Sequence, residues 1–390
     1  MSGFGPTVVN VADLRELARR RLPRMVFDYL DGGAETEWTL RENARVFSDV
    51  LLRPRSAVLV GQPDLRTAVL GHELALPFLL APIGSSRMFW PRAEACASAA
   101  AGKAGTGYIL STLSGTRLEE VKAATAGPCW YQLYLCGGRD VALAGIERAK
   151  ASGYSALVVT IDTPVAGMRE RDVKNGTRPL LSRNPLQMLP FLPQLLARPG
   201  WLFSFFADGG LMSFPNVLLA DGPMKYAEVG AALEAAAVCW NDLAWIREAW
   251  AGPIVVKGVH TADDARSAAD HGASAVVVSN HGGRQLDGVA PTLKVLPEVV
   301  AAVGARVEVL FDGGIRRGSD IVKALALGAR AALVGRAYSY GLAARGEEGA
   351  ARAIEILRAD LVRTLKLLGC DSAKNLSRDY LGLPRDWPAA

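Results

Sequence analysis

The chain has 390 residues, of which 50% are hydrophobic and 21% are charged, so it is long and apolar enough to form a large globular core. Its formal net charge is +5, but Lys and Arg are mixed with Asp and Glu along the chain, which argues against a nucleic-acid-binding protein. The five cysteines are scattered, without a Cys-x-x-Cys pair or a Cys/His cluster, so we expect no disulfide and no metal site.

The N-terminal region is predicted to be helical. Residues 10–21 have apolar positions at helical spacing with Asn10 as the cap, and residues 25–31 form a second short helix that ends at Gly32 and Gly33. On this second helix Tyr29 faces either the core or a ligand, and helical spacing favours the core. No apolar run precedes the charged residues of 1–24, so we expect no signal peptide.

Apolar runs that predict buried strands begin at residue 78 and recur along the chain. They lie at 78–82, 108–111, 129–134, 156–161, 254–258, 275–279, 307–312 and 331–335. Ala-rich, charged segments at helical spacing separate most of them, at 93–104, 139–151, 262–271 and 318–328. This alternation predicts an α/β protein with a parallel sheet, and eight units favour a (β/α)8 barrel over a doubly wound sheet. The absence of a GxGxxG after an early strand weakens the second alternative.

The longest gap between predicted strands runs from residue 161 to residue 254. We assign residues 164–235 to an insertion and expect a helix around 238–250 before the fifth strand. The insertion contains two apolar stretches, 184–197 and 201–206, which are too short and, in the first case, too Pro-broken to span a bilayer. They either form an exposed apolar patch that meets a membrane or a partner, or fold back onto the barrel.

In a barrel the active site lies at the C-terminal ends of the strands, and all eight predicted ends are polar or glycine-rich. The candidates are Pro82, Ile83, Gly84, Ser111, Thr112, Gln132, Tyr134, Thr160, Asp162, Arg169, Lys257, Ser279, His281, Asp312, Gly313, Gly314, Gly335 and Arg336. The last two ends resemble the phosphate site that barrels form after strands seven and eight. Glycines expose backbone N–H groups there, and Arg316 adds a cation.

The sixth predicted strand is followed by the sequence SNHGGRQLDG at 279–288. His281 can accept a proton near neutral pH, and Arg284 offers a rigid fork that suits a carboxylate. Taken alone, this segment is also compatible with a solvated loop that happens to hold a histidine and an arginine.

Several motifs together carry a resemblance to a known family. They are SNHGGRQLDG, FDGGIRRGSDIVKALALGA, YQLY, VVKG and LPRMVFDYLDGGAETEWTL. The chain resembles the FMN-dependent α-hydroxy-acid oxidase/dehydrogenase family from about Val11 to Tyr380, and it looks most like the bacterial mandelate and respiratory lactate dehydrogenases of that family. The resemblance implies one (β/α)8 barrel domain over residues 1–390, FMN as cofactor, oxidation of an L-2-hydroxy acid to the 2-oxo acid, and a homotetramer.

The resemblance also implies which residues hold FMN. The phosphate would bind Gly313, Gly314, Arg316, Gly335 and Arg336, and Asp312 would face the ribityl chain. The isoalloxazine ring would lie against Pro82, Ile83 and Gly84, with Ser111, Gln132 and Thr160 on its polar edge. Lys257 would place a cation where negative charge collects on the reduced flavin, and Ser279 would touch the cofactor.

On the substrate side, the resemblance assigns the carboxylate to Arg284 and Arg169, helped by Tyr29. Tyr134 would bond the hydroxyl group. His281 would be the base, with its protonated form stabilised by Asp162. Whether this base removes the hydroxyl proton with hydride transfer, or the α-proton by a carbanion route, stays open.

Three positions bear on the subclass. Gly84 stands where oxidases of the family often carry alanine, Leu113 replaces the tryptophan of glycolate oxidases, and Ala166 stands where a bulkier residue is common. Small residues there widen the pocket for a mandelate-like acid first and lactate second, with glycolate a poor substrate, unless the 164–235 loop refills the space.

The electron acceptor distinguishes the remaining alternatives. A dehydrogenase passes electrons to a quinone or another carrier, a soluble oxidase makes hydrogen peroxide from oxygen, and a silent FMN-binding barrel would not need the full set of polar residues. We expect residues 180–215, with Arg178, Arg183 and Arg198 on or beside them, to contact an anionic surface. The predicted location is the cytoplasm, peripheral to the cytoplasmic face of the inner membrane.

Overall fold

A computed structural model of the protein describes residues 7–177, 180, 185–210, 213–385 and 387. Eight parallel strands close into a barrel in chain order, and the eighth pairs with the first. The strands are β1 (Phe78–Leu80), β2 (Tyr108–Ser111), β3 (Cys129–Leu133), β4 (Ala156–Thr160), β5 (Ile254–Val259), β6 (Ala275–Val278), β7 (Glu308–Asp312) and β8 (Ala331–Val334). The predicted (β/α)8 barrel is confirmed, and the doubly wound alternative is excluded.

Helices surround the barrel on its outside. They are Ala93–Lys103, Leu118–Ala123, Arg139–Ala151, Asp242–Ala249, Ala262–Asp270, Thr292–Val303, Gly318–Ala326 and the long Arg336–Leu368, whose backbone breaks at Arg345 and Gly346. The predicted bounds of the four Ala-rich segments agree within two residues at each end. The helix expected around 238–250 is shorter, since it begins at Asp242.

The inside of the barrel is a packed apolar core that includes Leu79, Ile109 and Trp130. A two-stranded hairpin, Thr67–Val69 with His72–Leu74, packs against this core. The hairpin is attached to the start of β7, because the Leu70 N–H donates to the Glu308 carboxylate at 3.2 Å. The N-terminal end of the barrel is therefore closed, which leaves the C-terminal end for a site.

The N-terminal helices are Val11–Arg21, Arg24–Asp31 and Trp38–Arg45. Asn10 caps the first as predicted, since its side chain accepts from the Asp13 N–H at 3.0 Å. The second ends before Gly32, which has an extended backbone, and a Cβ there would lie 2.7 Å from the Asp28 carbonyl oxygen. Just beyond these helices, strand Leu51–Leu52 pairs with Leu381–Gly382 and ties the two ends of the chain together.

The insertion between β4 and β5 folds into short helices and a hairpin. They are Glu170–Asn175, Pro185–Met188, Leu192–Leu196, Pro199–Ala207, the strands Ser213–Leu219 and Gly222–Lys225, and Val229–Ala235. Trp201 is buried, stacks on Phe205 at 4.8 Å and donates its indole N–H to the Met88 carbonyl at 2.8 Å. Phe203 and Phe206 on the same helix are exposed. One side of the segment therefore folds back onto the barrel, and another side forms an exposed apolar patch. Each of the two expected arrangements is found in part of the insertion.

Two of the arginines expected to meet an anionic surface, Arg178 and Arg183, lie outside the described residues. Arg198 is described and donates to the neighbouring Ala197 carbonyl at 3.0 Å. In the described part of the chain no helix has the length and apolarity needed to cross a membrane.

A buried carboxylate, Asp31, joins the N-terminal helices to the rest of the molecule. It accepts from Arg15 at 2.6 and 2.8 Å, from Arg171 at 3.0 Å and from the Tyr340 hydroxyl at 2.8 Å. Burial alone would raise the pKa of Asp31, but the hydrogen bonds from Arg15 and Tyr340 hold it well below its ordinary range. The same short helix carries Tyr29, so this network sets the position of a candidate site residue.

We expect Asp31→Asn to lower the free energy of unfolding by about 2 kcal/mol, because Asp31 is buried and an amide accepts weaker hydrogen bonds from Arg15, Arg171 and Tyr340 than the carboxylate does. Since the folded pKa is lowered, the contribution of Asp31 is complete above the unfolded value of about 4 and is lost as the pH falls below it. The deficit of the variant, measured by urea unfolding, should therefore shrink below about pH 4. The exposed ion pair of Asp263 gives the control, and Asp263→Asn should cost less than about 1 kcal/mol.

Candidate active site

A cavity of about 1340 Å³, counted to its open mouth, lies at the C-terminal ends of the barrel strands. Almost every predicted site residue lines it: Tyr29, Pro82, Ile83, Gly84, Ser111, Gln132, Tyr134, Thr160, Arg169, Lys257, His281, Arg284, Asp312, Gly313, Gly314, Arg316, Gly335 and Arg336. Asp162 and Ser279 lie behind this wall, in contact with His281 and Lys257 respectively. The structure therefore brings together residues from all eight strand ends.

His281 and Asp162 form a hydrogen-bonded pair, with Nδ1 of the imidazole 2.9 Å from the carboxylate Oδ1. Because an ionised carboxylate only accepts, Nδ1 carries a proton, and in the neutral imidazole Nε2 keeps its lone pair. Burial alone would raise the pKa of Asp162, but its interactions with the imidazolium form of His281 and with Lys257 outweigh burial and lower that pKa below its ordinary value. The pair is thus a proton acceptor backed by a buried negative charge.

Gly258 makes this pairing possible, since β5 lies between the strands that carry Asp162 and His281. Its φ is +101°, and a Cβ there would lie 2.7 Å from the Cβ of Asp162. Any larger residue would push the carboxylate away from the imidazole. The glycine of the VVKG motif is therefore a requirement of the site.

His281 itself has a left-handed backbone, with φ +57°, and Gly282 and Gly283 continue this turn with φ +64° and +73°. A non-glycine residue in this region costs about 1–3 kcal/mol and persists only where its surroundings hold it. The His281 N–H donates to the Ser279 hydroxyl at 3.1 Å, and the Gly283 N–H donates to the Asn280 carbonyl at 3.0 Å. The turn aims the imidazole into the cavity.

Two arginines converge on Tyr29 at one side of the cavity. The guanidinium of Arg284 lies 5.0 Å from the centre of the tyrosine ring, and that of Arg169 lies 5.7 Å from it. Burial lowers the pKa of Arg284, and the charge of Arg169 lowers it further. Asp172 lies 3.0 Å from Arg169 and offsets part of this positive charge, and the remainder favours an anion in the cavity, as a carboxylate would be.

Lys257 forms the centre of the polar floor. Its ammonium group lies 3.0 Å from the Asp312 carboxylate and donates to the Ser279 hydroxyl at 3.0 Å. Burial alone would lower the pKa of Lys257, but Asp312 and Asp162 outweigh it and raise that pKa above its ordinary value. The lysine is therefore a permanent positive charge inside the barrel mouth.

The ends of β7 and β8 form the predicted phosphate end of the cavity. Gly313 and Gly314 have φ of +113° and +78°, and a Cβ on Gly314 would lie only 1.8 Å from the Asn43 carbonyl oxygen. Arg316 lines the cavity and donates to its neighbour, the Ile315 carbonyl, at 2.8 Å. A Cβ added to Gly335 would have no neighbouring atom closer than 3.7 Å, so a ligand can approach the backbone there.

Arg336 is more constrained than the sequence indicates. Its guanidinium donates to the carbonyls of Leu30, Gly282 and Gly32 at 3.2, 2.9 and 2.7 Å. Burial and the charge of Arg284 lower its pKa to about 9. Arg336 therefore connects the second N-terminal helix to the loop of His281, and it contributes charge to the cavity from that position.

Several buried polar atoms facing this region have no hydrogen-bond partner among the described residues: Gln132 Nε2, Thr160 Oγ1 and Asp312 Oδ1. Leaving a buried polar group unpaired costs about 1–3 kcal/mol, so native proteins normally satisfy such groups with a ligand, water or protein atom. All three groups belong to cavity-lining residues. These unpaired groups are suited to bind a polar ligand in the cavity.

A family model described as FMN-dependent dehydrogenase matches residues 18–383 of this chain. The chain belongs to this family. It is an FMN-dependent oxidoreductase of 2-hydroxy acids, which confirms the function class and the cofactor predicted from the motifs.

Relatives of this FMN-dependent dehydrogenase span nearly its whole length. The L-lactate dehydrogenase of Caulobacter vibrioides is 42% identical over 96% of this chain and 97% of its own. The L-lactate oxidase of a Nostoc species is 40% identical over 96% of this chain and 98% of its own. A crystal structure of the monotopic membrane protein (S)-mandelate dehydrogenase is 38% identical and covers 97% of this chain and 100% of its own, with a TM-score of 0.91.

The residues present fit FMN. An unpaired amide and hydroxyl at Gln132 and Thr160 suit the polar edge of a flavin, and the unpaired Asp312 oxygen suits a ribityl hydroxyl. The arginines and open backbone after β7 and β8 suit the phosphate. Among the described residues no cluster of His, Cys, Asp and Glu side chains is arranged to hold a metal ion.

Sequence reasoning missed several residues that complete the site. Gln285 donates to the carbonyls of Asp162 and Val165 at 2.9 Å and accepts from the Gly167 N–H at 3.1 Å, so it ties the loop of Asp162 to the loop of His281. Its place in the SNHGGRQLDG motif was a usable signal. The cavity wall also includes residues from the insertion, namely Phe214, Tyr226, Val229 and Leu233. No local pattern marks these four, because only the folded insertion brings them to the barrel.

We expect Arg316→Gln to weaken FMN binding about tenfold or more, since it removes a charge-assisted contact to the phosphate. Titration of flavin-free protein with FMN, followed by the quenching of flavin fluorescence, measures the dissociation constant. The adjacent Arg317 is exposed and does not line the cavity, so Arg317→Gln is the matched control and should bind FMN as the unaltered protein does. Equal losses in the two variants would remove Arg316 from the phosphate site.

Proposed function

We propose that this protein, as one domain over residues 1–390, oxidises an L-2-hydroxy acid with an apolar, mandelate-like side chain to the 2-oxo acid. The observation that carries the proposal is the placement of two arginines around Tyr29 in the same cavity as the His281–Asp162 pair. The arginines suit the carboxylate, and the pair suits the proton that leaves the adjacent α-hydroxy centre. FMN, when bound, supplies the two-electron oxidation.

The protein's own groups then have distinct roles in this proposal. Arg169 and Arg284 hold the substrate carboxylate, and His281 accepts a proton at Nε2 while Asp162 stabilises the resulting imidazolium. Tyr134 donates to the substrate hydroxyl. Burial raises the pKa of this phenol and the charge of Asp162 raises it further, so it stays protonated and remains a donor.

The part of the cavity that would hold the substrate's side chain suits an apolar substituent. Gly84, Leu113 and Ala166 line it, and a Cβ on Gly84 would lie 3.4 Å from the Cβ of Leu113, so glycine leaves room that alanine would occupy. The insertion adds Phe214 and Leu233 to this wall and partly refills the space. Burial of apolar surface contributes roughly 25 cal/mol per Å², which favours a phenyl or branched substituent over the hydrogen of glycolate.

The proposed acceptor and location are supported by the exposed surface of the insertion. Leu196, Phe203 and Phe206 are between 62% and 78% exposed within one short segment, which supports peripheral contact with a membrane and electron transfer to a quinone there. The similar mandelate dehydrogenase whose structure is described as monotopic supports the same reading. The homotetramer, and the cytoplasmic face of the membrane as the location, stay predictions.

We expect His281→Gln to retain FMN but to lose flavin reduction by about two or more orders of magnitude, the usual effect of removing a general base. Anaerobic bleaching of the flavin by (S)-mandelate, L-lactate and glycolate measures both the loss and the order of substrates, with mandelate first and glycolate last. His271 is exposed and does not line the cavity, so His271→Gln is the control and should be reduced normally. Near-normal reduction of His281→Gln would remove this histidine from the mechanism.

We expect the pair of substitutions Leu196→Asp and Phe203→Asp to abolish binding to anionic phosphatidylglycerol vesicles, because charges cannot enter the apolar boundary of the lipid. Co-sedimentation measures binding, and anaerobic reduction by mandelate should survive. Leu59 and Leu367 are 98% and 70% exposed elsewhere on the surface, so Leu59→Asp with Leu367→Asp is the matched control and should still sediment.

Two results would contradict this placement. One is unaltered protein that stays in solution with vesicles present, and the other is oxygen consumption as fast as the reduction of a quinone analogue. Together they would favour a soluble oxidase that makes hydrogen peroxide, an activity class that the similar Nostoc L-lactate oxidase represents.

A further inference from the structure

Tyr226 belongs to the insertion between β4 and β5 and lines the cavity. It begins the short turn Tyr226–Glu228, between the Gly222–Lys225 strand and the Val229–Ala235 helix. Its side chain lines the cavity, and its ring packs on the fully buried Phe214 with ring centres 6.1 Å apart. Neither the sequence motifs nor the roles described above use this residue.

Hydrogen bonds hold the backbone around Tyr226 in place. Glu228 accepts from the Lys225 N–H at 2.7 Å and closes the turn in which the tyrosine lies. The preceding hairpin is anchored by Asn216, whose amide oxygen accepts from the Leu118 N–H at 2.9 Å and whose amide N–H donates to the Thr116 carbonyl at 3.0 Å. The phenol is therefore presented by a folded element and needs no rearrangement to face the cavity.

The charged groups around this phenol are Arg169, Arg284 and the carboxylate of Asp172, which lies 3.0 Å from Arg169. Burial raises the pKa of Tyr226, Tyr29 and Asp172 raise it further, and the positive charges of Arg169 and Arg284 oppose the shift. In return, Tyr226 acts on the pKa values of both arginines. The hydroxyl group is thus protonated, and it lies in the field of the two cations that surround Tyr29.

We propose that Tyr226 is a substrate-binding residue, and that its phenol donates a hydrogen bond to the substrate carboxylate held by Arg169 and Arg284. The proposal rests on the proposed function for the identity of the ligand. It extends the part of the insertion in recognition, because Tyr226 would join Arg169 on the carboxylate while Phe214 and Leu233 cover the substituent. The carboxylate end and the substituent end of a 2-hydroxy acid would then each contact both the barrel and the insertion.

The test compares an acid with its neutral isostere, using the holoenzyme. Phenylacetate and phenylacetamide lack the hydroxyl group, so neither is oxidised, and both can be titrated by the change in absorbance of the bound flavin. Tyr226→Phe should weaken phenylacetate binding about 10- to 100-fold, the usual effect of losing a hydrogen bond to a charged group. It should weaken phenylacetamide binding by less than about tenfold, because the amide carbonyl is an uncharged and weaker acceptor. During anaerobic reduction by (S)-mandelate, the KM should rise similarly while the limiting rate changes by less than about threefold.

Controls separate binding from folding. Tyr380 is buried and does not line the cavity, and Arg55 lies over its ring at 4.3 Å, so Tyr380→Phe removes a phenol hydroxyl outside the cavity and should alter neither titration. Flavin content and thermal unfolding of Tyr226→Phe should match those of the unaltered protein. An equal loss for acid and amide, or no loss for either, would overturn the role of Tyr226 alone. Failure of the unaltered protein to be reduced by any 2-hydroxy acid would overturn the proposed function and this inference with it.

Discussion

Positive charge concentrated at one end of the barrel is the constraint on which the rest of the site depends. Arg169, Arg284, Arg316, Arg336 and Lys257 all line one cavity. Burial lowers the pKa of Arg336 and of Arg284, and in each case a neighbouring arginine lowers it further. Such a cluster persists only when hydrogen bonds and negative charges compensate it.

Backbone carbonyls and carboxylates supply this compensation, and each positions a part of the site. Backbone carbonyls at the end of helix Arg24–Asp31 accept from Arg284 and Arg336, which brings Tyr29 to the cavity. The carboxylates of Asp312 and Asp172 lie 3.0 Å from Lys257 and Arg169 respectively. The remaining positive charge suits the FMN phosphate and a substrate carboxylate and favours the binding of both.

The insertion between β4 and β5 has two different surfaces with different roles. One surface packs Trp201 against the Met88 carbonyl and brings Phe214 and Tyr226 to the cavity. The other leaves Phe203 and Phe206 uncovered. A single segment therefore shapes the substrate pocket and offers the apolar surface proposed to meet a membrane. The insertion would then contribute both to the binding site of the electron acceptor and to the substrate pocket.

Much of the architecture could be predicted from local patterns. The period of apolar runs and Ala-rich segments predicted eight strands and the helices between them, because each strand of a parallel barrel is buried on both faces. The SNHGGRQLDG motif indicated His281 and Arg284 because an imidazole can accept a proton and a guanidinium suits a carboxylate, and the family resemblance removed the alternative of a solvated loop. Gly258 shows the limit of such reasoning. Glycine is required there because Asp162 packs directly against it, and this contact is visible only in the folded structure.

By itself, the sequence determined the barrel, the FMN-dependent family and the residues at the strand ends, since these depend on periodicity and on short motifs that are local in the chain. Only the tertiary structure decided which face of the insertion is covered, that Arg336 is held by three carbonyls, and that Tyr226 reaches the cavity. These features depend on contacts between residues far apart in the chain, such as Arg336 with Leu30. Their free energies come from packing and charge compensation in the folded state, which no local pattern encodes.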